Sequence, residues 1–438
     1  MTRHFKLNTF SIFGADLPKN IKQMLVAILV FVIVWGIIEP FIPLYIKSIS
    51  PNYTFVGTVF AVLNIFIFLA SIPVGDLVDK VKPSRLIKIA LVFYAIVGAL
   101  YGFAGKIADL IFARSVHGIS NPLLWVSTES FIRENTTKEN NLKAFGWYST
   151  IVNFGVAIGS VIGAIILVYF GLTFNQLFLL LTPFSMASLV LFLKVKANPK
   201  QGDSPEEGFG QAIEEIIEKD GVYKKEIKDF IGLGAIGIIL AIIVFFNSLI
   251  MQTIYFIVPL LSEEINLGLP GLALLYGFLH VPFMFCFALA GLADKEGKTQ
   301  IILLGLIMAA IVSAIIFFTI GSITLFVLLC FALAFVMALI IPATNSIISD
   351  IIPNLEIGEI TGTYYGIACL GGIIGPIAFG IIADLYGLKT VFLATTIIAI
   401  IVFLVTFAFR KKLVVPKIPC IAEKKSTIKI ILEEAERP

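Results

Sequence analysis

Long uncharged apolar runs, not alternating positions, dominate the chain. Residues 144–193 and 299–349 contain no Asp, Glu, Lys or Arg. A helix needs about 20 apolar residues to cross a bilayer, so each run holds two spans and a short turn. Shorter uncharged runs lie at 48–75, 89–105, 230–262, 265–293, 360–383 and 390–409. Lipid offers no partners to backbone N–H and C=O groups, so such segments are helices. Barrel strands would alternate apolar and polar residues, and these runs do not. The pattern predicts twelve spans, at 24–46, 55–74, 86–104, 108–130, 144–168, 173–193, 230–260, 269–292, 300–319, 323–349, 359–383 and 389–409. The expected class is an all-α integral membrane protein with twelve transmembrane helices. No cleavable leader is expected in residues 1–23, because the first apolar run is long enough to span.

Composition agrees. Hydrophobic residues make up 58%, charged residues 14%, and mean hydropathy is +1.00. A soluble domain carries about 25% charged residues, so a soluble enzyme and a disordered chain are both excluded. The charges that remain are one-sided. With the N-terminus taken as cytoplasmic, 28 of the 32 lysines and arginines fall on the inner side. Only Lys47, Lys106 and Lys389 fall in outer loops, and Arg114 lies within a span. This positive-inside bias predicts a multi-pass plasma-membrane protein with both termini cytoplasmic. Cys286, Cys330, Cys369 and Cys420 form no CxxC pair, and the three histidines lack ligand spacing, so neither a disulfide framework nor a metal site is expected.

The chain is built twice. Pro43 and Pro259 are 216 residues apart, as are Gly146 and Gly362, Gly155 and Gly371, Gly159 and Gly375, and the Gly171-Leu172 and Gly387-Leu388 pairs. The expected organisation is a six-helix half at 1–195, a cytoplasmic linker at 196–228, a second half at 229–410 and a tail at 411–438. An even number of spans per half makes the halves parallel, related by a pseudo-twofold axis along the membrane normal. Transporters built from such repeats bind substrate between them. In the linker, Ile213, Ile216 and Ile217 have the spacing of a short surface helix or a solvated tether.

Three motifs carry chemistry. The loop after the second span reads Gly75-Asp-Leu-Val-Asp79-Lys80-Val-Lys82-Pro83-Ser84-Arg85, and the second half echoes it as Ala290-Gly-Leu-Ala-Asp294-Lys295-Glu-Gly297-Lys298. Here glycine permits close helix approach, and aspartate can pair with basic groups and cap a helix N-terminus. The fourth span reads Arg114-Ser-Val-His117-Gly118, and Arg114, His117, Asn121, Trp125 and Thr128 share one helical face. Such a stripe faces protein or a water-filled cavity, unless Arg114 snorkels to the outer surface. The fifth span carries Gly155, Gly159 and Gly163 at every fourth position, and the eleventh carries Gly371, Gly375 and Pro376. Small residues so spaced let helices pack tightly.

These motifs resemble those of the major facilitator superfamily. Gly75, Leu77, Asp79, Lys80 and Arg85 match its loop signature G-x-L-x-D-[RK]-x-G-x-[RK]-[RK], while Lys82 replaces the second glycine and Ser84 a basic residue. Arg114 to Gly118 is similar to its R-x-x-Q-G pattern, with His117 for glutamine, and the resemblance ties that arginine to proton coupling. The fifth span resembles the antiporter motif G-x-x-x-G-P-x-x-G-G, with Ser160 and Ala164 as departures. The resemblance implies alternating access in which the loop motifs act as a gate.

Glu39 is the sharpest single feature. It is the one charge in the first span from Met24 to Ile46 and is followed by Pro40. Pro43 cannot donate to its carbonyl, so the helix is expected to kink there. A carboxylate at that depth must pair, for instance with Arg114, or stay protonated, which suits reversible proton binding. Cavity candidates are Asn64, Asn121, Trp125, Ser248, Gln252, Tyr255, His280, Asn345, Tyr364 and Tyr365. No GxxxxGK[ST] loop is present, so the proton gradient is the implied energy source and no cofactor is expected. The resulting expectation is a monomeric antiporter that exports hydrophobic or cationic small molecules, with lipid, protons and substrate as partners and no nucleic acid. Two alternatives stand beside it: uptake or exchange of a polar solute such as a sugar or organic anion, and a non-transporting receptor or scaffold. An enzyme is not expected, because no paired carboxylates or histidine cluster lie at membrane depth.

Overall fold

The computed structural model describes residues 17–50, 52–196, 234–319, 321–351 and 357–413. The linker from 197 to 228, with its expected surface helix, and the tail beyond 413 lie outside them. Every regular element among the described residues is helical. The first half comprises α1 (Lys19–Ile38), α2 (Ile42–Ile49), α3 (Tyr53–Lys80), α4 (Pro83–Phe103), α5 (Ile107–Glu134), α6 (Lys138–Tyr169), α7 (Phe174–Leu179) and α8 (Leu181–Phe192). The second comprises α9 (Gly234–Gln252), α10 (Val258–Glu264), α11 (Gly268–Met284), α12 (Cys286–Glu296), α13 (Lys298–Thr319), α14 (Ile323–Ile351), α15 (Ile357–Tyr386) and α16 (Thr390–Ala408).

Ten of these columns are long and apolar enough to cross a membrane. The other two expected spans depart for identifiable reasons. The 28-residue α5 carries Asp109, Arg114, Glu129, Arg133 and Glu134. The eighth span is divided at Phe285 into α11 and α12, three residues after Pro282. Several helices outrun their apolar cores. For example, α6 begins at Lys138, a turn and a half before the uncharged run starts.

The first span breaks where the two prolines predict. Pro43 has no N–H for the Glu39 carbonyl. Ile42 N–H takes its place, and Glu39–Phe41 becomes one turn of 3-10 helix between α1 and α2. In the second half Pro259 poses the same problem to Tyr255, and the chain widens instead of tightening. Thr253–Ile257 is a π-turn in which Val258 N–H reaches the Thr253 carbonyl. Glu39 and Tyr255 are 216 residues apart, so both halves distort their first span at the same place.

Packing repeats as well. In the first half α1 packs on α6 and α8, α3 on α5, and α4 on α5 and α8. Their counterparts pair likewise: α9 on α15 and α16, α11 and α12 on α14, and α13 on α14 and α16. The glycine stripes make the first of these contacts. A Cβ on Gly159 would strike the Ile33 carbonyl and Gly36, and one on Gly163 the Ile37 carbonyl. Gly155 sits on Val32, while Gly371 and Gly375 meet Ser248 and Gln252 of α9. Close helix approach is what small residues permit in lipid.

Two seams join the halves, α3 on α15 and α6 on α11. They are tight at the end of the bundle opposite the chain termini. There Lys47 Nζ pairs with Glu263 Oε2 at 2.9 Å. Asp384 accepts from Tyr53 N and Thr54 N at 2.9 and 2.7 Å, capping the N-terminus of α3 across the seam. Gly57 lies against the Pro376 carbonyl and Gly380 against Tyr53. At the terminal end Gly75 and Gly291 have nothing within 4 Å of a Cβ position. Close approach at Gly75, expected from the loop motif, is therefore absent in this arrangement, because the packed part of α3 lies at its other end.

Candidate functional site

The two helical breaks and the two seams converge at mid-depth. Glu39 sits in the 3-10 turn, with Trp35 one turn back and Tyr276 of α11 beside its carboxylate. The Tyr276 hydroxyl does not complete a hydrogen bond of standard geometry. Arg114 is the opposite charge acting on Glu39, yet no ion pair within 4 Å joins them among the described residues. The static Glu39–Arg114 pair weighed from the sequence is absent here.

Arg114 is 1% exposed and does not snorkel. Its Nη2 donates to the Phe60 carbonyl at 2.5 Å and its guanidinium lies 4.5 Å from the Phe60 ring. Its Nε has no partner. Tyr101 stands between Arg114 and His117, with its hydroxyl 3.2 Å from His117 Nδ1. The other ring nitrogen of His117 is buried without a partner, and the ring meets Trp35 edge-on at 4.7 Å. A carboxylate, a guanidinium, an imidazole and two phenols thus share a region where several polar atoms lack protein partners. Buried polar groups are normally bonded to protein or water, so these unpaired atoms set the cluster apart from the apolar packing around it.

The repeat governs how the seam closes. Phe60 and Tyr276 are 216 apart, and each reaches the broken first span of the other half. Phe60 meets Phe256 at 5.3 Å, and Tyr276 meets Glu39. Asn64 and His280 are again 216 apart. Asn64 Nδ2 donates to the Gly372 carbonyl at 3.2 Å, and His280 Nδ1 lies 3.0 Å from Asn153 Oδ1. Thr150 Oγ1 donates to the Met284 carbonyl and Ser160 Oγ to that of Ala273.

The remaining candidates divide by position. Tyr365 is 40% exposed and donates to Asn121 Oδ1 at 3.4 Å across the halves. Its neighbour Tyr364 is buried on another face of α15. Trp125 lies between Phe31 and Tyr148. Tyr255 joins Tyr276 and His280 in an aromatic group near Glu39. Ser248 Oγ donates to the Ala368 carbonyl at 2.6 Å, a bond within the second half. Gln252 is buried beneath Gly375 with its Oε1 unpaired, and Asn345 is exposed on α14. Asp79 and Lys80 end α3, Arg85 lies in the first turn of α4, and Asp294 and Lys295 lie in the last turn of α12. Gly297 follows at φ 102°, a conformation suited to glycine. These loop residues stand at the terminal end, away from the Glu39 cluster.

Some participants are not evident from sequence alone. Trp35, Tyr94, Tyr101 and Tyr276 read as ordinary aromatic residues within apolar runs. Glu129 reads as part of an interfacial charge group with Arg133 and Glu134. The 216-residue offset does connect Lys47 with Glu263, and a twofold axis brings related positions beside it together.

The model of the Major Facilitator Superfamily matches residues 24–320 and 240–433. The chain is 24% identical over 357 residues to multidrug resistance protein 2 of Bacillus subtilis (strain 168), covering 80% of this chain and 85% of the relative. It is 36% identical over 118 residues to multidrug resistance protein MdtG of Proteus mirabilis (strain HI4320), covering 27% and 29% of the two chains. Among solved structures, the human organic anion transporter MFSD10 (TETRAN) superposes with a TM-score of 0.65 at 13% identity, over 89% of this chain and 100% of that one.

Proposed function

The chain belongs to the Major Facilitator Superfamily, and from that premise we propose that it exports hydrophobic or cationic small molecules in exchange for protons. Membrane transport is the family's activity. Efflux is favoured by the multidrug-resistance relatives and by the acid at the centre. The observation that carries the proposal is Glu39. It lies at the break of the first span, between the halves, with a phenol beside it and no ion-pair partner within 4 Å among the described residues. A carboxylate so placed exchanges one positive charge for another, a proton or the cationic group of a substrate.

In this reading the molecule rocks about the site. The end sealed by Lys47–Glu263 and Asp384 faces outward, the terminal end faces the cytoplasm, and the described arrangement is inward-facing. Glu39, approached from the terminal end, releases its proton and accepts cationic cargo. Tyr276 and Trp35 supply polar edges and aromatic surface. Arg114, held on the Phe60 carbonyl, stands over the site as a fixed positive charge. The loop motifs at Asp79 and Asp294 act when the terminal end closes. The proton gradient drives the cycle, the bilayer is the plasma membrane, and one chain suffices.

A second reading, transport of an organic anion, rests on Arg114. Its Nε is unpaired, but its guanidinium is buried under Phe60, which shields it from cargo. The test uses vesicles carrying a pH gradient and a reporter of internal pH. Addition of a lipophilic cation is expected to move protons in the wild type and not in Glu39→Gln. Anion-triggered flux, or cation-triggered flux unchanged in the variant, would overturn the reading.

A further inference from the structure

Glu129 is a further carboxylate within the expected fourth span, 108–130, on α5 toward the terminal end. It shares three features with Glu39. Each follows a partly exposed tryptophan by four residues, Trp35 before Glu39 and Trp125 before Glu129. Each lies near residues of the seam, since Glu129 follows Trp125 and Asn121 at successive four-residue steps on α5, and these meet Tyr148 of α6 and Tyr365 of α15. The two are also joined by one continuous series of rings. Trp35 meets Tyr94 at 6.4 Å, Tyr94 meets Phe31 at 4.6 Å, Phe31 meets Trp125 at 6.2 Å, and Trp125 meets Tyr148 at 6.3 Å. The first three steps are edge-to-face and the last is tilted, all at centroid distances typical of favourable aromatic pairs.

We propose that Glu129, with Trp125, Tyr148 and Tyr365, forms a second binding subsite for organic cations with aromatic or apolar bodies, nearer the terminal end than Glu39. A carboxylate beside aromatic rings recognises such a cation by charge and by attraction to the ring faces. An inorganic cation would need several oxygen ligands, and one carboxylate does not supply them. A sugar would need several convergent polar groups, and Asn121 already accepts from Tyr365.

The charge that opposes the proposal is Arg133, one turn on. Its Nη2 lies 3.7 Å from Glu129 Oε2, and both side chains are about half exposed. That separation exceeds hydrogen-bond length, and an exposed pair of adjacent helical turns is weak. In the same position its guanidinium already lies 5.8 Å over the Phe145 ring. A cation arriving at Glu129 replaces that weak pair while Arg133 keeps its place over Phe145, and no buried charge is left unpaired. The subsite is then a receiving position from which cargo passes to Glu39. That role rests on the export reading above, but binding at Glu129 does not.

The test is equilibrium binding of tetraphenylphosphonium to the full chain in detergent, in wild type, Glu39→Gln, Glu129→Gln, the double variant and Arg133→Gln. Uncharged triphenylphosphine oxide serves as control, and gel-filtration profiles verify folding. Glu39→Gln is expected to retain saturable binding that the double variant weakens at least tenfold. Arg133→Gln is expected to tighten cation binding severalfold and leave the neutral control unchanged. The proposal is overturned by no binding to the wild type, by equal binding to Glu39→Gln and the double variant, or by weaker binding to Arg133→Gln. Loss of proton coupling in Glu39→Gln with unchanged binding at Glu129 would separate the two readings.

Discussion

Arg114 is among the largest fully buried side chains of the described residues, and its neighbours explain why it is tolerated. The Phe60 carbonyl, the Phe60 ring and Tyr101 take part of the place of water. An unpaired buried charge is costly, and removing Arg114 strands no ion-pair partner within 4 Å among the described residues. Arg114→Met is therefore expected to remain folded, with an unchanged melting profile in detergent, and to lose proton-coupled flux. His117 bonds Tyr101 through one ring nitrogen. Glutamine can keep a polar contact there, whereas leucine leaves the phenol unsatisfied at a cost of about 1–3 kcal/mol. His117→Gln is expected to transport within a few-fold of wild type and His117→Leu at least about tenfold more slowly, a factor that this penalty covers. Equal loss in both variants would assign the imidazole itself a role.

Elements are held by backbone-close packing on one side and by deliberate distortion on the other. The contact of α6 on α1 leaves no room at Gly159. Gly159→Leu must push the helices apart, and overpacking of this kind costs about 1–3 kcal/mol or more. A lower melting temperature is expected there and no change for Gly75→Ala, where nothing lies within 4 Å. An equal effect at both positions would show that Gly75 is packed in another state of the cycle that dominates in detergent. The distortion at Glu39 depends on a missing N–H. Pro43→Ala returns a donor to the Glu39 carbonyl, allows regular α-helix through the break and turns the carboxylate. Flux is expected to fall while stability holds or rises, since a proline inside a helix costs about 3 kcal/mol. Parallel loss of both would mean that the break serves packing rather than the site.

The whole molecule is two copies of one packing scheme closed at one end. Its closure is reversible in energetic terms, since a partly exposed pair such as Lys47–Glu263 contributes at most about 1 kcal/mol. Lys47→Glu sets two like charges where a 2.9 Å ion pair now stands. It is expected to raise the reactivity of a thiol introduced by Ser262→Cys toward a membrane-impermeant reagent, and the exchange of Lys47→Glu with Glu263→Lys is expected to restore protection. Unchanged reactivity in the single reversal would leave closure of that end to the Asp384 cap of α3 and to the glycine contacts.

How much of this was legible in the sequence follows from the range of the forces involved. Helices in lipid are a local necessity, because each segment must satisfy its own backbone, so long apolar runs with few or no charges marked the spans. Their helical ends were set by polar flanks that hydropathy does not report, as at Lys138. The 216-residue repeat, the glycine stripes and the Pro43 break are also local or periodic, and the structure has helices interrupted at Glu39 and packed at Gly159. Glu39 stood out because one charge in an apolar span is conspicuous. Glu129 did not, because it lies beside Arg133 and Glu134 and resembles an interfacial run. What surrounds these groups is a matter of distant parts of the chain meeting. That Tyr276 rather than Arg114 stands beside Glu39, that Arg114 turns to the Phe60 carbonyl, and that Asn64 and His280 each bond across a seam, one to a backbone carbonyl and one to a side-chain amide, depend on how the halves dock. The sequence by itself determined the helices and their duplication, because burial of backbone and repetition act along the chain. Only the tertiary structure decided which charges pair, which stay alone and which end of the bundle is shut, because those are contacts between residues that the chain order keeps far apart.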